Sequence, residues 1–147
     1  MHNPAHFEAI DYLVIGHLAK DITPSGDRLG GTAAFSALTA KALGLKVGVV
    51  TAWGEDSSLT QIGSIPLAYE PANYSTTFEN TVTKSGRQQI VHKVAPSIDF
   101  YQIPQSWRRA EMVHLGPIAQ EVEPSLARRF PDAFLGITPQ GWLREWD

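Results

Sequence analysis

The sequence predicts an α/β protein: an open, mostly parallel, Rossmann-type sheet with flanking helices, plus a small separate β piece. Three observations carry that expectation. Tyr12-Leu13-Val14-Ile15 is a short apolar run ending at Gly16, the pattern of a buried strand feeding a tight turn. Thr32 to Leu43 is a run of good helix formers set between Gly30-Gly31 and Gly44. Val47-Gly48-Val49-Val50-Thr51 then follows as a second buried strand. Strand, helix and strand in close succession form the unit of a parallel sheet with right-handed crossovers.

In chain order, Met1 to Ala9 reads as a loose leader before the first strand. Asp21 follows Gly16 by five residues. From Lys20 to Leu29 the residues Asp21 to Arg28 suit a short strand and an exposed turn. Gly44 stops the helix at the C′ position, with Lys41 well placed in its last turn. Gly54-Glu55-Asp56 leaves the second strand through a turn, and Ser57 to Ile62 has room for little more than a turn of helix. Ile65 to Tyr69 is a further strand, with Pro66 placing it at a strand beginning or a sheet edge.

Thr76 to Thr83 is β-branched and aromatic, and Arg87 to Val94 pairs with it across Lys84-Ser85-Gly86. Both strands are polar over much of their length, so this ribbon belongs beside the core rather than in it. Pro104 to Ala110 reads as a short helix with Trp107 buried. Met112 to Leu115 is a strand, Gly116-Pro117 a turn, Glu123 to Arg129 a helix with Pro124 in its first turn, and Ala133 to Ile137 the last strand.

Composition narrows the function classes. With 147 residues, 43% apolar and 18% charged, the chain is an ordinary globular one. A chain of this size buries about 68–70% of its unfolded surface, enough for one domain with a real core. The net charge of −3 and the lack of a Lys/Arg stripe argue against nucleic acid as a partner. Arg108-Arg109 and Arg128-Arg129 read as solvated helix faces, not phosphate clamps. Cysteine is absent, which removes disulfides and thiolate metal sites. His2, His6, His17, His92 and His114 lack metal-ligand spacing and read as surface or edge residues, so no metal site is expected. Neither a signal peptide nor a membrane span is visible, and a cytoplasmic location is expected.

A carboxylate just past one strand and glycines at a helix start put an acceptor and free N–H donors at the same edge of an open sheet. That edge is where such sheets bind ligands, and glycines there let a ligand approach the backbone. The pattern points to a polar small-molecule site.

These same residues resemble the ribokinase-like (PfkB-type) carbohydrate kinases. The likeness rests on Gly16 with Asp21, the Gly30-Gly31 pair opening an Ala-rich helix, and Ala42-Leu43-Gly44 leading into Val47-Gly48-Val49-Val50. Gly54-Glu55-Asp56 stands where that family has a Gly-x-Asp turn. The likeness runs loosely to the last residue, yet it matches only the family's N-terminal half. It implies that residues 1–147 are the N-terminal part of a single ribokinase-like α/β domain whose C-terminal half is missing. It also implies lid strands within about residues 20–24 and 76–94, closing over a sugar and often pairing between subunits, so a homodimer through those strands is one expectation. From spacing alone, an ordinary hairpin packed on its own domain fits equally well.

What the resemblance implies for function is the substrate-binding portion of an ATP-dependent sugar, polyol or nucleoside kinase, with a small polyhydroxylated partner. Asp21 would accept hydrogen bonds from two substrate hydroxyls, its alternative being a turn or N-cap aspartate. Gly30 and Gly31 would offer backbone donors and close approach, or form a plain loop. Thr32 would add a hydroxyl or cap its helix. Where many members carry an asparagine four residues after the second glycine, this chain has Phe35. Asn80 and Glu79 on the lid strand would then supply polar contacts and Phe78 an apolar one, and Gln140 lies at the binding edge with no assigned role.

ATP and Mg²⁺ are implied for a full-length enzyme about twice as long, of normal domain size. The family's Gly-Ala-Gly-Asp motif, whose helix start neutralises developing charge and whose aspartate takes the hydroxyl proton, is missing here. No Gly-x-x-x-x-Gly-Lys-Ser/Thr loop occurs either. The chain alone is therefore expected to bind no nucleotide well and to phosphorylate nothing. Two other readings stand beside this one. The first is a non-catalytic module that binds a polyol or dimerises through its lid. The second is a dinucleotide-binding domain, disfavoured because Gly16 is followed by His17-Leu18-Ala19-Lys20 rather than by Gly-x-x-Gly.

Overall fold

The computed structural model describes residues 7–146, so the readings at His2 and His6 lie outside the described residues. In chain order the elements are β1 (Tyr12–Ile15), β2 (Ala19–Thr23), β3 (Gly26–Gly30), α1 (Thr32–Ala42), β4 (Val47–Gly54), β5 (Leu67–Ala72), β6 (Thr76–Thr83), β7 (Gly86–Lys93), β8 (Met112–Leu115) and β9 (Phe134–Ile137). The five strands of the main sheet run β5-β4-β1-β8-β9, every neighbouring pair parallel. The expected parallel α/β sheet is the one observed.

Parallel strands buried on both faces are apolar throughout, and β1 shows why. Leu13 and Ile15 face one layer with Trp107, Leu126 and Phe130. Val14 faces the other, against Ala33, Ala34, Ala37 and Ala40 of α1. Methyl-sized side chains on that stripe let the helix lie close to the sheet. Trp107 is fully buried, as its apolar setting predicted.

The second sheet has the order β3-β2-β6-β7. Two antiparallel hairpins, β2/β3 and β6/β7, are joined by parallel pairing of β2 with β6. The β6/β7 hairpin turns at Gly86 with φ 125°, matching the sequence reading.

Several expectations change. The stretch from Lys20 to Leu29 is two strands, not one strand and a turn, because Asp27, Arg28 and Leu29 pair back onto β2. The second buried strand runs on to Gly54. The strand expected at Ile65 to Tyr69 begins at Leu67 and reaches Ala72, Pro66 preceding it and Pro71 tolerated because β5 is an edge strand. Among the described residues α1 is the one α-helix, so helices do not alternate with every strand. Residues Gln105–Trp107 and Pro124–Arg129 are 3-10 turns.

The leader is docked where it is described. Phe7 packs edge-on against Trp107 with ring centroids 4.6 Å apart, and Trp107 Nε1 donates to the Glu8 carbonyl at 2.9 Å. The arginine pairs are not simply solvated either. The guanidinium carbons of Arg108 and Arg129 lie 4.4 and 4.1 Å from the Phe100 ring centroid, each within cation–π range.

Candidate functional site

β1 ends at Ile15, and Gly16-His17-Leu18 carry the chain from the main sheet into β2 of the second. This crossing is pinned by a buried polar junction. The His17 imidazole bonds the Thr76 hydroxyl through Nδ1 at 2.7 Å and the Pro96 carbonyl through Nε2 at 2.8 Å. A carbonyl only accepts, so Nε2 carries the proton. Thr76 Oγ1, already accepting from Ala95 N–H at 2.9 Å, donates its own hydrogen to Nδ1.

Burial lowers the His17 pKa, while the Glu121 charge and the bond to the Pro96 carbonyl oppose this. With the pKa below its ordinary value the ring is neutral at neutral pH and Nδ1 accepts. Glu121 is also buried, its carboxylate accepting the backbone N–H groups of His17, Ile118 and Ala119 at 2.7–3.0 Å. His17 is therefore a fully buried residue, not a surface or edge one, and His114 is half-buried between Tyr12 and Thr138. His92 does lie at the surface, paired with Glu79 at 2.7 Å.

Two residues into β2, Asp21 stands over Gly30 of β3. A Cβ at Gly30 would lie 2.0 Å from Asp21 Oδ2, so the missing side chain makes room for the carboxylate. Gly31, with φ 92° and ψ 150°, is in backbone space essentially reserved for glycine, and a Cβ there would also meet the His17 carbonyl at 2.8 Å. It forms the N-cap of α1 with no side-chain cap. Thr32 does not cap the helix; its hydroxyl accepts from Gln140 Nε2.

Strand register decides what else faces Asp21. Asp21 is level with Phe78 on β6, Asn80 with Gln89 on β7, and Val82 with Arg87. Period-two alternation puts Phe78, Asn80, Gln89 and Arg87 on one face. Together with Asp21, Gly31, Thr32, Phe35, Ile118, Gln140 and Arg144 they line a cleft of about 260 Å³. The cleft brings together Asp21, Gly31, Thr32, Phe78 and Asn80 from the sequence expectation, and Gly30 lies behind Asp21, outside the lining. Glu79 is one residue out of phase and turns to the opposite face, toward His92. Phe35 is 61% exposed at the rim.

Arg87, Gln89, Ile118 and Arg144 are lining residues that the sequence reading missed. Counting across the hairpin turn reaches Arg87 and Gln89. Arg144 has no such signal, since it arrives from an irregular segment. Its Nη1 donates to the Ile118 carbonyl at 2.6 Å, and its guanidinium lies 4.9 Å from the Phe78 ring centroid. Arg87 donates through Nε and Nη2 to Asn80 Oδ1, which also accepts from Gln89. Burial raises the Asp21 pKa, while the positive charges of Arg87 and Arg144 oppose the rise.

A larger cavity of about 640 Å³ lies at the opposite rim, by the starts of β4 and β5, lined by Ile10, Leu45, Val47 and Pro66 among others. Glu8, Lys41, Lys46 and Ser64 also line it, but it sits at the amino ends of the strands, whereas open α/β sheets bind ligands at the carboxyl ends. The smaller polar cleft is therefore the candidate site.

Among the described residues no group of three or more His, Cys, Asp or Glu stands together, and the sequence holds no Gly-x-x-x-x-Gly-Lys-Ser/Thr phosphate loop. Among the described residues, too, no helix is long and apolar enough to cross a membrane.

No protein-family model and no curated protein matches the sequence. Solved structures do. A pyrophosphate-dependent kinase of the ribokinase family, complexed with a pyrophosphate analogue and myo-inositol, superposes with TM-score 0.68 at 23% identity over 90% of this chain and 50% of that one. The nucleoside kinase of Methanocaldococcus jannaschii, an archaeal member of the same family, gives TM-score 0.61 at 18% identity over 93% and 55%. Ribokinase of Arabidopsis thaliana with ribose and ATP gives 0.58 at 15% over 88% and 52%. The fold is thus that of the ribokinase-like kinases, and the chain spans about half the length of the structures it matches.

Proposed function

We propose that this chain is the N-terminal, substrate-binding part of a ribokinase-like kinase that transfers a phosphoryl group to a hydroxyl of a sugar, polyol or nucleoside. The observation that carries the reading is the placement of Asp21. Its half-buried carboxylate stands beside the start of α1, in a cleft that also holds Thr32, Asn80 and Gln140. A carboxylate accepts from two hydroxyls at once, and hydrogen bonds to a charged group contribute about 1.5–3 kcal/mol each. Phe78 and Ile118 offer apolar surface to the carbon face of such a molecule.

The second sheet would be the lid. Supporting this, β2, β6 and β7 stand apart from the main sheet yet supply Asp21, Phe78, Asn80 and Arg87 to the cleft. The phosphoryl donor would bind elsewhere in the complete enzyme, with ATP and Mg²⁺ the first expectation. Pyrophosphate is the alternative, because one similar structure is of a pyrophosphate-dependent kinase. No step through either is assigned to these residues.

Titration calorimetry with myo-inositol, ribose, adenosine and gluconate tests the reading. Binding of at least one, weakened about tenfold or more by Asp21→Asn, is expected. A panel that binds nowhere, or binds alike to both proteins, overturns the reading. The chain alone should show no phosphoryl transfer from ATP above background.

A second reading, self-association through the lid, is favoured by β7, an outer strand of its sheet with Ile90 40% exposed. Light scattering that gives only monomer across the micromolar range would exclude it.

A further inference from the structure

The charges around the cleft do not balance. Its lining carries a single carboxylate, Asp21, and two guanidinium groups, Arg87 and Arg144. Among the described residues, neither arginine forms an ion pair within 4.0 Å; the pairs present are Lys20 with Asp27, His92 with Glu79, and Lys93 with Asp56. Glu121 lies behind the cleft rather than in its lining, its oxygens taken up by three backbone N–H groups. The excess is local, since the chain as a whole has net charge −3.

Both guanidinium groups are held by neutral acceptors. Arg87 uses Nε and Nη2 on Asn80 Oδ1, and Arg144 uses Nη1 on the Ile118 carbonyl. Each has further N–H donors beyond these, in the planar fork that matches carboxylate and phosphate oxygens. The two positive charges also act on each other: after burial, Arg87 is the next influence that lowers the Arg144 pKa, while the Glu121 and Asp21 charges oppose it from behind the cleft and across it. Two like charges beside one cleft repel, and an anion between them would relieve the repulsion. A neutral sugar could accept their N–H groups but would neutralise neither charge.

We propose that Arg87 and Arg144 form an anion-recognising end of the cleft, so that the polyol it takes carries a carboxylate or a phosphate. The hydroxyls then face Asp21 and the anionic group faces the arginines. This rests on the cleft being the substrate site. It narrows the substrate to an anionic polyol.

The test is calorimetric titration of the full chain with two matched pairs: sorbitol against gluconate, and glucose against glucose 6-phosphate. At least one anionic member is expected to bind about tenfold or more tighter than its neutral partner. Whichever pair shows the preference identifies carboxylate or phosphate. Arg87→Gln and Arg144→Gln should each remove most of that preference, and Arg144→Lys should keep part of it. Arg87 sits on an exposed strand, so Arg87→Gln decides the matter even if Arg144→Gln unfolds.

Neutral members that bind as well as the anionic ones, or a preference that survives in Arg87→Gln, overturn the inference. In that case binding that still depends on Asp21 leaves the polyol-kinase reading standing. Absence of binding by all four compounds overturns the inference as well, and a further failure of myo-inositol, ribose and adenosine removes the kinase reading with it.

Discussion

Asp21 occupies the space that a side chain at Gly30 would need: a Cβ there would lie 2.0 Å from Oδ2. The relation joins two neighbouring strands, since Ala19 is level with Gly30 and Asp21 with Arg28.

Gly30→Ala should displace the carboxylate while keeping the strand. Overpacking of this kind costs about 1–3 kcal/mol. Urea denaturation should show that cost in the natural background and little of it in an Asp21→Ala background, where no carboxylate stands in the way. Equal costs in both would break the link between the two residues.

Gly31→Ala should be worse, and independent of Asp21. Its φ of 92° with ψ of 150° strains any L side chain, and the His17 carbonyl lies 2.8 Å from the added atom. Strain of this type costs about 1–3 kcal/mol, to which the clash adds. A melting temperature within a degree of the parent would contradict it.

Acid should destabilise the protein through its histidines. Burial lowers the pKa of both His17 and His114 below the ordinary value of 6.5, so below that pH the unfolded chain binds more protons than the folded one. Stability present above 6.5 is therefore lost as pH falls through 6.5 toward the lower folded values. Urea midpoints at pH 7.5 and 5.5 check this; the lower pH should give the lower midpoint, and coincident midpoints would refute it.

Glu121→Gln should loosen the crossing between the sheets. A carboxylate that accepts three backbone N–H groups becomes an amide with one acceptor oxygen. Leaving buried donors unsatisfied costs about 1–3 kcal/mol each. Hydrogen exchange at the amides of His17, Ile118 and Ala119 should accelerate, and unchanged protection there would count against the role given to Glu121.

Much of both sheets was legible in pieces. β1, α1, β4, the β6/β7 hairpin and β8 all announce themselves by apolar runs, glycine stops or β-branched alternation within a few residues. The hairpin also held more information than the reading took from it. Alternation alone forbids Glu79 and Asn80 from facing the same cleft, and the pairing across Gly86 sets Arg87 and Gln89 on the side of Asn80. β3 was harder to see, because Gly26-Asp27-Arg28-Leu29-Gly30 has the composition of a loop and becomes a strand only by pairing with β2.

By itself the sequence determined what depends on near neighbours: which short runs are buried, where the helix starts and stops, and which strands turn back on themselves. Packing decided the rest. Ala19 meets Thr76 and Thr32 meets Gln140 only once the sheets have assembled. His17 is buried because Thr76 and Pro96 supply its partners, although nothing adjacent to it in the chain says so. Arg144 reaches Asp21's cleft from the far end of the described chain. Local patterns encode burial and backbone freedom, whereas contacts between distant segments are set by the whole arrangement of layers, and it is those contacts that built the cleft.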